Sequence, residues 1–168
     1  PAHRRRGRGR NRLSGRDRRL SMPPRRATAE DAPAVSELVQ RAYQPWAAMI
    51  GQRPAPMDDD YAAHCAAGDV FVLPMDGALA AILVVQDRTD HLWLDNIAVD
   101  PAFQGRGIGR ALLAFAEAEA RQRGLRDMRL LTHQQMLSNI ALYTRCGYVE
   151  TERRVQDGFA RVFMAKRL

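Results

Sequence analysis

The sequence predicts an α/β domain with a mixed, mostly antiparallel central sheet and helices on both faces. Three observations predict it. Apolar runs at 70–73, 78–86 and 92–99 follow one another through turn residues, as the strands of a meander do. At Gly107 the pattern changes to an Ala- and Leu-rich stretch with Ile108, Leu112 and Phe115 at helical spacing. A further apolar run at 128–132 follows that helix, so a strand–helix–strand crossover brings a parallel pair into the sheet.

In chain order, residues 24–27 read as a short first strand. Thr28 with Asp31 reads as a helix start, and Val35, Leu38, Val39 and Ala42 keep the spacing of a buried helical face. Residues 44–57, with Pro45, Gly51, Pro54 and Pro56, read as a loop. Asp58, Asp59 and Asp60 suit the first turn of a second helix that stops near Gly68, because carboxylates are favoured at the positive end of the helix dipole. Asp76-Gly77 is a hairpin turn, and residues 87–90 turn the chain into the fourth strand. The central helix spans 107–123 and stops at Gly124. After the fifth strand come a short helix at 137–145 and two strands, 148–153 and 159–165, joined at Asp157-Gly158. The order is βααβββαβαββ, without internal repeats.

With 168 residues, 46% apolar and 27% charged, the chain is long enough and apolar enough to bury a core. Its net charge of +7 is uneven. Residues 1–21 hold nine arginines against one acid, Asp17, leaving 17 basic and 18 acidic residues from Met22 onward. That first stretch has too little apolar surface to offset ordering entropy and reads as a disordered tail. It is either a basic arm or sequence ahead of a natural start at Met22. Arginine clusters neutralise phosphates, but no aromatic residue interleaves these, and a nucleic-acid partner is not expected. No apolar run reaches the length of a signal peptide or a membrane span. Cys65 and Cys146 lie far apart and read as reduced side chains, while His64 and His91 show no cluster partners, so no metal site is expected. A cytoplasmic protein with no membrane partner is the expectation.

The glycine-rich turn carries the chemistry. Between a strand and a helix, consecutive backbone N–H groups without intrahelical partners form an anion site. Gly105, Gly107 and Gly109 leave room for a pyrophosphate, and Arg106 and Arg110 add charge beside it. The spacing matches neither the dinucleotide fingerprint nor the phosphate loop that carries a lysine and a hydroxyl.

The run from Leu94 through Asp95-Asn96-Ile97-Ala98-Val99 to Gln104-Gly105-Arg106-Gly107-Ile108-Gly109 resembles the central motif of the GNAT family of N-acetyltransferases. That motif is a strand ending in an apolar triplet, then (Q/R)xxGx(G/A), then a helix, and Gln104, Gly107 and Gly109 fill its three positions. The order of elements over 22–168 is similar to the family's. The resemblance implies a single acetyltransferase domain there, with acetyl-CoA as cosubstrate and a sheet that splays between its fourth and fifth strands. It also implies that the backbone of Ile97, Ala98 and Val99 holds the pantetheine arm like an added strand. The N–H groups from Gln104 through Gly105, Arg106, Gly107, Ile108 and Gly109 to Arg110 would hold the pyrophosphate.

The family's second motif places a tyrosine on the helix after the fifth strand. Ala141-Leu142-Tyr143-Thr144-Arg145-Cys146-Gly147-Tyr148 matches it, which implies that Tyr143 is the general acid protonating the departing sulfur. Where the family often has an asparagine seven residues earlier, this chain has Met136; Asn139, on the same helical face as Tyr143, is the candidate for that cofactor contact. Candidate bases are Asp95, which strand alternation puts on the face of Ile97, and His133. Tyr43, Trp46 and Met49, in or beside the 44–57 loop, and Trp93 on the fourth strand are candidates for the acceptor pocket. There Trp46 and Trp93 would stack on a cationic or aromatic acceptor. Direct acetyl transfer to the primary amine of a small molecule is the leading expectation. A protein or peptide amine, and a non-catalytic acyl-CoA-binding module, are the alternatives, and a homodimer is a candidate assembly.

Overall fold

The computed structural model describes residues 22–168, and the arginine-rich stretch expected to be a tail lies outside them. The elements are β1 (Arg25–Arg26), α1 (Ala32–Ile50), α2 (Tyr61–Ala67), β2 (Val70–Met75), β3 (Ala78–Asp87), β4 (Leu92–Val99), α3 (Ile108–Gln122), β5 (Asp127–His133), α4 (Leu137–Arg145), β6 (Val149–Gln156) and β7 (Phe159–Arg167). The strands form one sheet in the order β1-β2-β3-β4-β5-β7-β6, antiparallel throughout except for the parallel pair β4–β5. This is the predicted fold class and element order.

Two apolar cores sandwich the sheet. On one face Val35, Leu38 and Val39 of α1 and Tyr61 and Cys65 of α2 pack on Val70, Val72, Ile82 and Val84. On the other, Leu112, Leu113, Ala116 and Ala120 of α3 and Tyr143 of α4 pack on Leu83, Leu92, Leu94, Met128 and Leu130. Strands β2 and β3 are buried on both faces over most of their length, which is why they read as unbroken apolar runs. Both Asp-Gly turns form as expected. Asp76 and Gly77, and likewise Asp157 and Gly158, have φ between 52° and 77°, the left-handed pair that a tight hairpin requires.

One expectation is overturned. The region 44–57 is not a loop throughout, because α1 continues through Pro45 to Ile50 and ends at Gly51 with φ 72°. Pro45 removes the N–H that would bond the Arg41 carbonyl, but tertiary packing of the helix on β4 outweighs that loss. Only residues 51–60 connect α1 to α2.

The predicted helix start at Thr28 is built from side chains. Asp31 accepts from the Thr28 backbone N–H at 2.7 Å and takes two bonds from the Arg25 guanidinium at 2.8 and 2.9 Å. Those bonds hold the Asp31 carboxyl down at about 2, Arg25 contributing most. The stabilisation is therefore present above the ordinary carboxylate range and is lost as pH falls toward that value. Asp31→Ala is expected to cost about 1 kcal/mol in urea unfolding near neutral pH, and the gap to wild type should close in acid. A gap that persists at low pH would show that the cost lies in packing instead.

Candidate active site

Parallel pairing of β4 with β5 stops early. Leu92, Trp93 and Leu94 lie opposite Met128, Arg129 and Leu130, and beyond them the two strands part. From Asp95 onward the β5-facing edge of β4 has no strand partner among the described residues, so its backbone groups are open to a ligand lying along it.

A bulge coincides with this split. Val84 pairs with Asn96 but Val85 pairs with Leu94, so Asp95 is the extra residue of β4. Alternation inverts across it. Leu92 and Leu94 belong to the core under α3, whereas Asn96 and Ala98 turn toward α1 and α2. The expectation that Asp95 shares a face with Ile97 is thereby corrected. Ile97 packs against the α3-side core, and Asp95 lies beside Trp93, whose indole N–H donates to its carboxylate at 3.1 Å.

The glycine turn follows the free end of β4. Asp100 accepts the Ala102 N–H at 2.9 Å and an ion pair from Arg41 at 2.8 Å, fixing the chain as it leaves the strand. Gln104 donates its side-chain amide to the Val99 carbonyl at 3.1 Å and closes the turn onto the strand end. Gly107 caps α3 with φ 80°, presenting backbone N–H groups with no capping side chain in front of them. Ile108 buries its side chain in the core, so only its backbone faces the turn. Arg106 stacks on Phe103 at 5.0 Å and pairs with Asp76 at 3.7 Å, while Arg110 is exposed on the first turn of α3.

Two cavities meet here and share Tyr43, Ile97, Asn139 and Tyr143. The first, about 210 Å³, runs along Ile97, Ala98 and Val99 to Gln104 and Gly109. Trp46 lines this channel and not the second cavity, because it belongs to α1 three residues after Tyr43 and not to a loop. The second, about 310 Å³, lies between the α1–α2 segment and the ends of β4, β5 and β7, and takes Trp93, Asp95 and His133 on its walls. Met49 is exposed and lines neither cavity.

Tyr143 is 8% exposed on α4 and packs edge-on to Tyr148 at 6.0 Å. Burial pushes its phenol up to about 12, so the proton is held throughout the neutral range. Asn139, one turn earlier, faces the same two cavities and donates to the Met136 sulfur at 3.6 Å. His133 is buried at the end of β5, where its Nδ1 accepts the Gln135 N–H at 3.2 Å. In the neutral ring the proton is then assigned to Nε2. Burial, with the Arg161 charge across the strand pair, holds the imidazole below its ordinary value.

The three consecutive aspartates have three different tasks. Asp58 pairs with Arg53 at 2.6 Å, and Asp60 caps α2 through the Ala63 N–H at 3.0 Å. Asp59 turns into the second cavity, where it gathers with Asp95 and His64, their ligand atoms within 4.8 Å of one another. Burial first, then the Asp95 charge, raises the Asp59 carboxyl. His64 therefore does have partners, contrary to expectation, since the 51–60 connection folds back over β4; His91 lies against Asp90 at 2.6 Å. A hydrogen-bonded chain ties that connection down. Tyr43 donates to Asn96 at 2.7 Å, Asn96 to the Tyr61 hydroxyl at 3.0 Å, and Tyr61 to the Pro56 carbonyl at 2.8 Å. Asp59, Asn96 and Arg161 escaped sequence reasoning, and only the Asp58–Asp60 run carried any signal of the first.

Residues 33–148 match the sequence profile of the acetyltransferase (GNAT) family. A ribosomal-protein alanine N-acetyltransferase of Escherichia coli is 39% identical over 80 residues, 48% of this chain and 54% of that protein. The crystal structure of such an enzyme from E. coli aligns over 86% of this chain and 92% of its own at 29% identity, with a TM-score of 0.65. An aminoglycoside N(6')-acetyltransferase type 1 of Stenotrophomonas maltophilia is 33% identical over 100 residues, 54% of this chain and 65% of that protein. The matched segments thus span about half to two thirds of those relatives' lengths. The PaiA N-acetyltransferase of Thermoplasma acidophilum, solved with coenzyme A, shares the fold with a TM-score of 0.74 at 18% identity, over 89% of this chain and 100% of its own. Because the profile covers more than half of the chain, and the splayed strands and glycine turn fall within it, this protein belongs to the acetyltransferase (GNAT) family.

Proposed function

We propose that the chain, as one domain over 22–168, transfers the acetyl group of acetyl-CoA to the primary amine of a small molecule by direct attack in a ternary complex. The observation that carries this reading is the meeting of the two cavities at Tyr143. In it, the pantetheine arm lies along Ile97, Ala98 and Val99, the pyrophosphate rests on the N–H groups from Gln104 to Arg110, and the thioester reaches the splay. The amine enters the second cavity as an ammonium held by Asp59 and Asp95 and loses one proton to that carboxylate pair, which frees the nitrogen lone pair to attack the carbonyl carbon. The C–S bond then breaks, Tyr143 protonates the departing thiolate, and the second proton of the attacking nitrogen returns to the phenolate, leaving the neutral amide and the free thiol. His133, with its proton on Nε2, serves as a donor lining the site and is set aside as a base.

A cavity of about 310 Å³ is at the small end of ligand pockets, which favours a small acceptor. The similarity to a ribosomal-protein alanine N-acetyltransferase of E. coli favours a protein α-amine instead. A panel of small amines and α-amino peptides, assayed with acetyl-CoA by thiol release, separates the two. Release with peptides alone would replace the small-molecule reading. Tight coenzyme A binding without release on any amine would make the chain a binding module.

The carboxylate pair gives a pH prediction. The proton acceptor must be ionised, so the rate rises with pH through the Asp59 titration, which burial and the Asp95 charge raise from its ordinary value. Asp95→Asn leaves the burial of Asp59 but removes the like charge that adds to it, and should move this ascending limb to lower pH, with kcat/KM reduced about 10- to 100-fold. An unmoved limb would assign the base elsewhere.

A further inference from the structure

Arg161 has no place in the chemistry above, and its surroundings are unusual for an arginine. It lies on β7 opposite His133, with its guanidinium 4.4 Å above the Phe159 ring, and it lines the second cavity together with Asp59 and Asp95. Its Nε is sealed from solvent and has no hydrogen-bond partner. Among the described residues no carboxylate lies in ion-pair range of it, whereas every other arginine of the strands has one. Asp157, in the β6–β7 turn, acts on it only through space. Partial burial holds the guanidinium below its ordinary value, against the opposing pull of the Asp157 charge. A half-buried guanidinium with no anion beside it is costly unless a ligand supplies one. A planar fork of donors is, moreover, the group best matched to a carboxylate.

The cavity thus carries opposite charges on its walls, a carboxylate pair near the α1–α2 segment and an unpartnered guanidinium on β7. Resting on the acetyl-transfer reading, we infer that the acceptor is a small zwitterion, an amine that also bears a carboxylate, with the ammonium on Asp59 and Asp95 and the carboxylate on Arg161. Such a molecule neutralises both walls at once, whereas a plain amine leaves Arg161 uncompensated. The thiol-releasing step is unchanged, because the carboxylate is bound and takes no part in bond making. Asp59 and Asp95 supply the orientation that turns the amine toward the splay, and Phe159 supplies the flat surface that keeps the guanidinium in place.

The test compares amino acids with their own decarboxylated amines and their own amides, using acetyl-CoA and thiol release. With the wild-type protein the free amino acids should exceed both counterparts in kcat/KM by at least about tenfold, mainly through KM, as expected for a charge-assisted pair. In Arg161→Gln that ratio should collapse by about tenfold, and Arg161→Lys should restore part of it. Amines or amides used as well as the acids would overturn the inference while leaving acetyl transfer standing, and so would an unchanged ratio in Arg161→Gln. Thiol release on no amine at all would instead remove the acetyl-transfer reading on which the inference rests. Should Arg161→Gln fail to fold, the wild-type comparison alone decides.

Discussion

Tyr143→Phe is expected to lower kcat about 100-fold or more while leaving the affinity for acetyl-CoA within about twofold of wild type, the signature of a lost proton donor. The hydroxyl is the only atom removed. The ring remains against Tyr148 and in the core beneath α4, so folding and cofactor contacts through the helix are retained. Stopped-flow thiol release with saturating acetyl-CoA reads the chemical step, and calorimetry with coenzyme A reads binding. The pH profile supplies a second check. Burial raises this phenol to about 12, above the ordinary value near 10, so the acid stays protonated across the working range. The wild-type rate should therefore show no descending limb near pH 10. A limb there, or equal turnover in wild type and Tyr143→Phe, would take Tyr143 out of the mechanism.

The backbone was far more legible in the sequence than the acceptor cavity. Hairpins announced by Asp-Gly, apolar runs buried on both sheet faces, and a glycine turn ahead of an amphipathic helix are local signals, and the structure follows them. Local rules fail where tertiary context overrides them. Pro45 and the prolines after it read as a loop, yet α1 runs on to Ile50, and this moved Trp46 to the channel beside β4. Strict alternation along β4 was a sound local inference that one extra residue defeats, and nothing in Leu94-Asp95-Asn96 marks a bulge. Asp59 was hidden in a run that suits any helix start, since only the fold-back of the 51–60 connection separates its role from those of its neighbours. Arg161 was invisible for a related reason. An arginine on an alternating strand reads as solvated, and its lack of a partner is a property of the assembled cavity alone.

The glycine turn yields the second large effect. Gly107→Val should weaken coenzyme A binding at least about 100-fold in calorimetry, the loss of roughly two charge-assisted hydrogen bonds. Two causes act together and can be separated. Gly107 has φ 80°, and a β-branched residue there strains the helix start by about 1–2 kcal/mol. A Cβ at this position meets no protein atom within 4 Å beyond its chain neighbours, so the side chain projects into open space at the helix start. Gly124 provides the control. It has φ 74°, an added Cβ there also meets nothing, and it lies at the opposite end of α3. Gly124→Val should lose comparable stability in urea unfolding yet keep its affinity for coenzyme A. If both variants lost affinity equally, the effect of Gly107→Val would be one of backbone strain transmitted through α3. If neither did, the turn from Gln104 to Gly109 would be a structural corner and not an anion cradle. Loss at Gly107 alone ties the open backbone of the helix start to the pyrophosphate, because strain is common to both positions and only one of them lies in the turn whose residues Gln104 and Gly109 line the channel along Ile97, Ala98 and Val99.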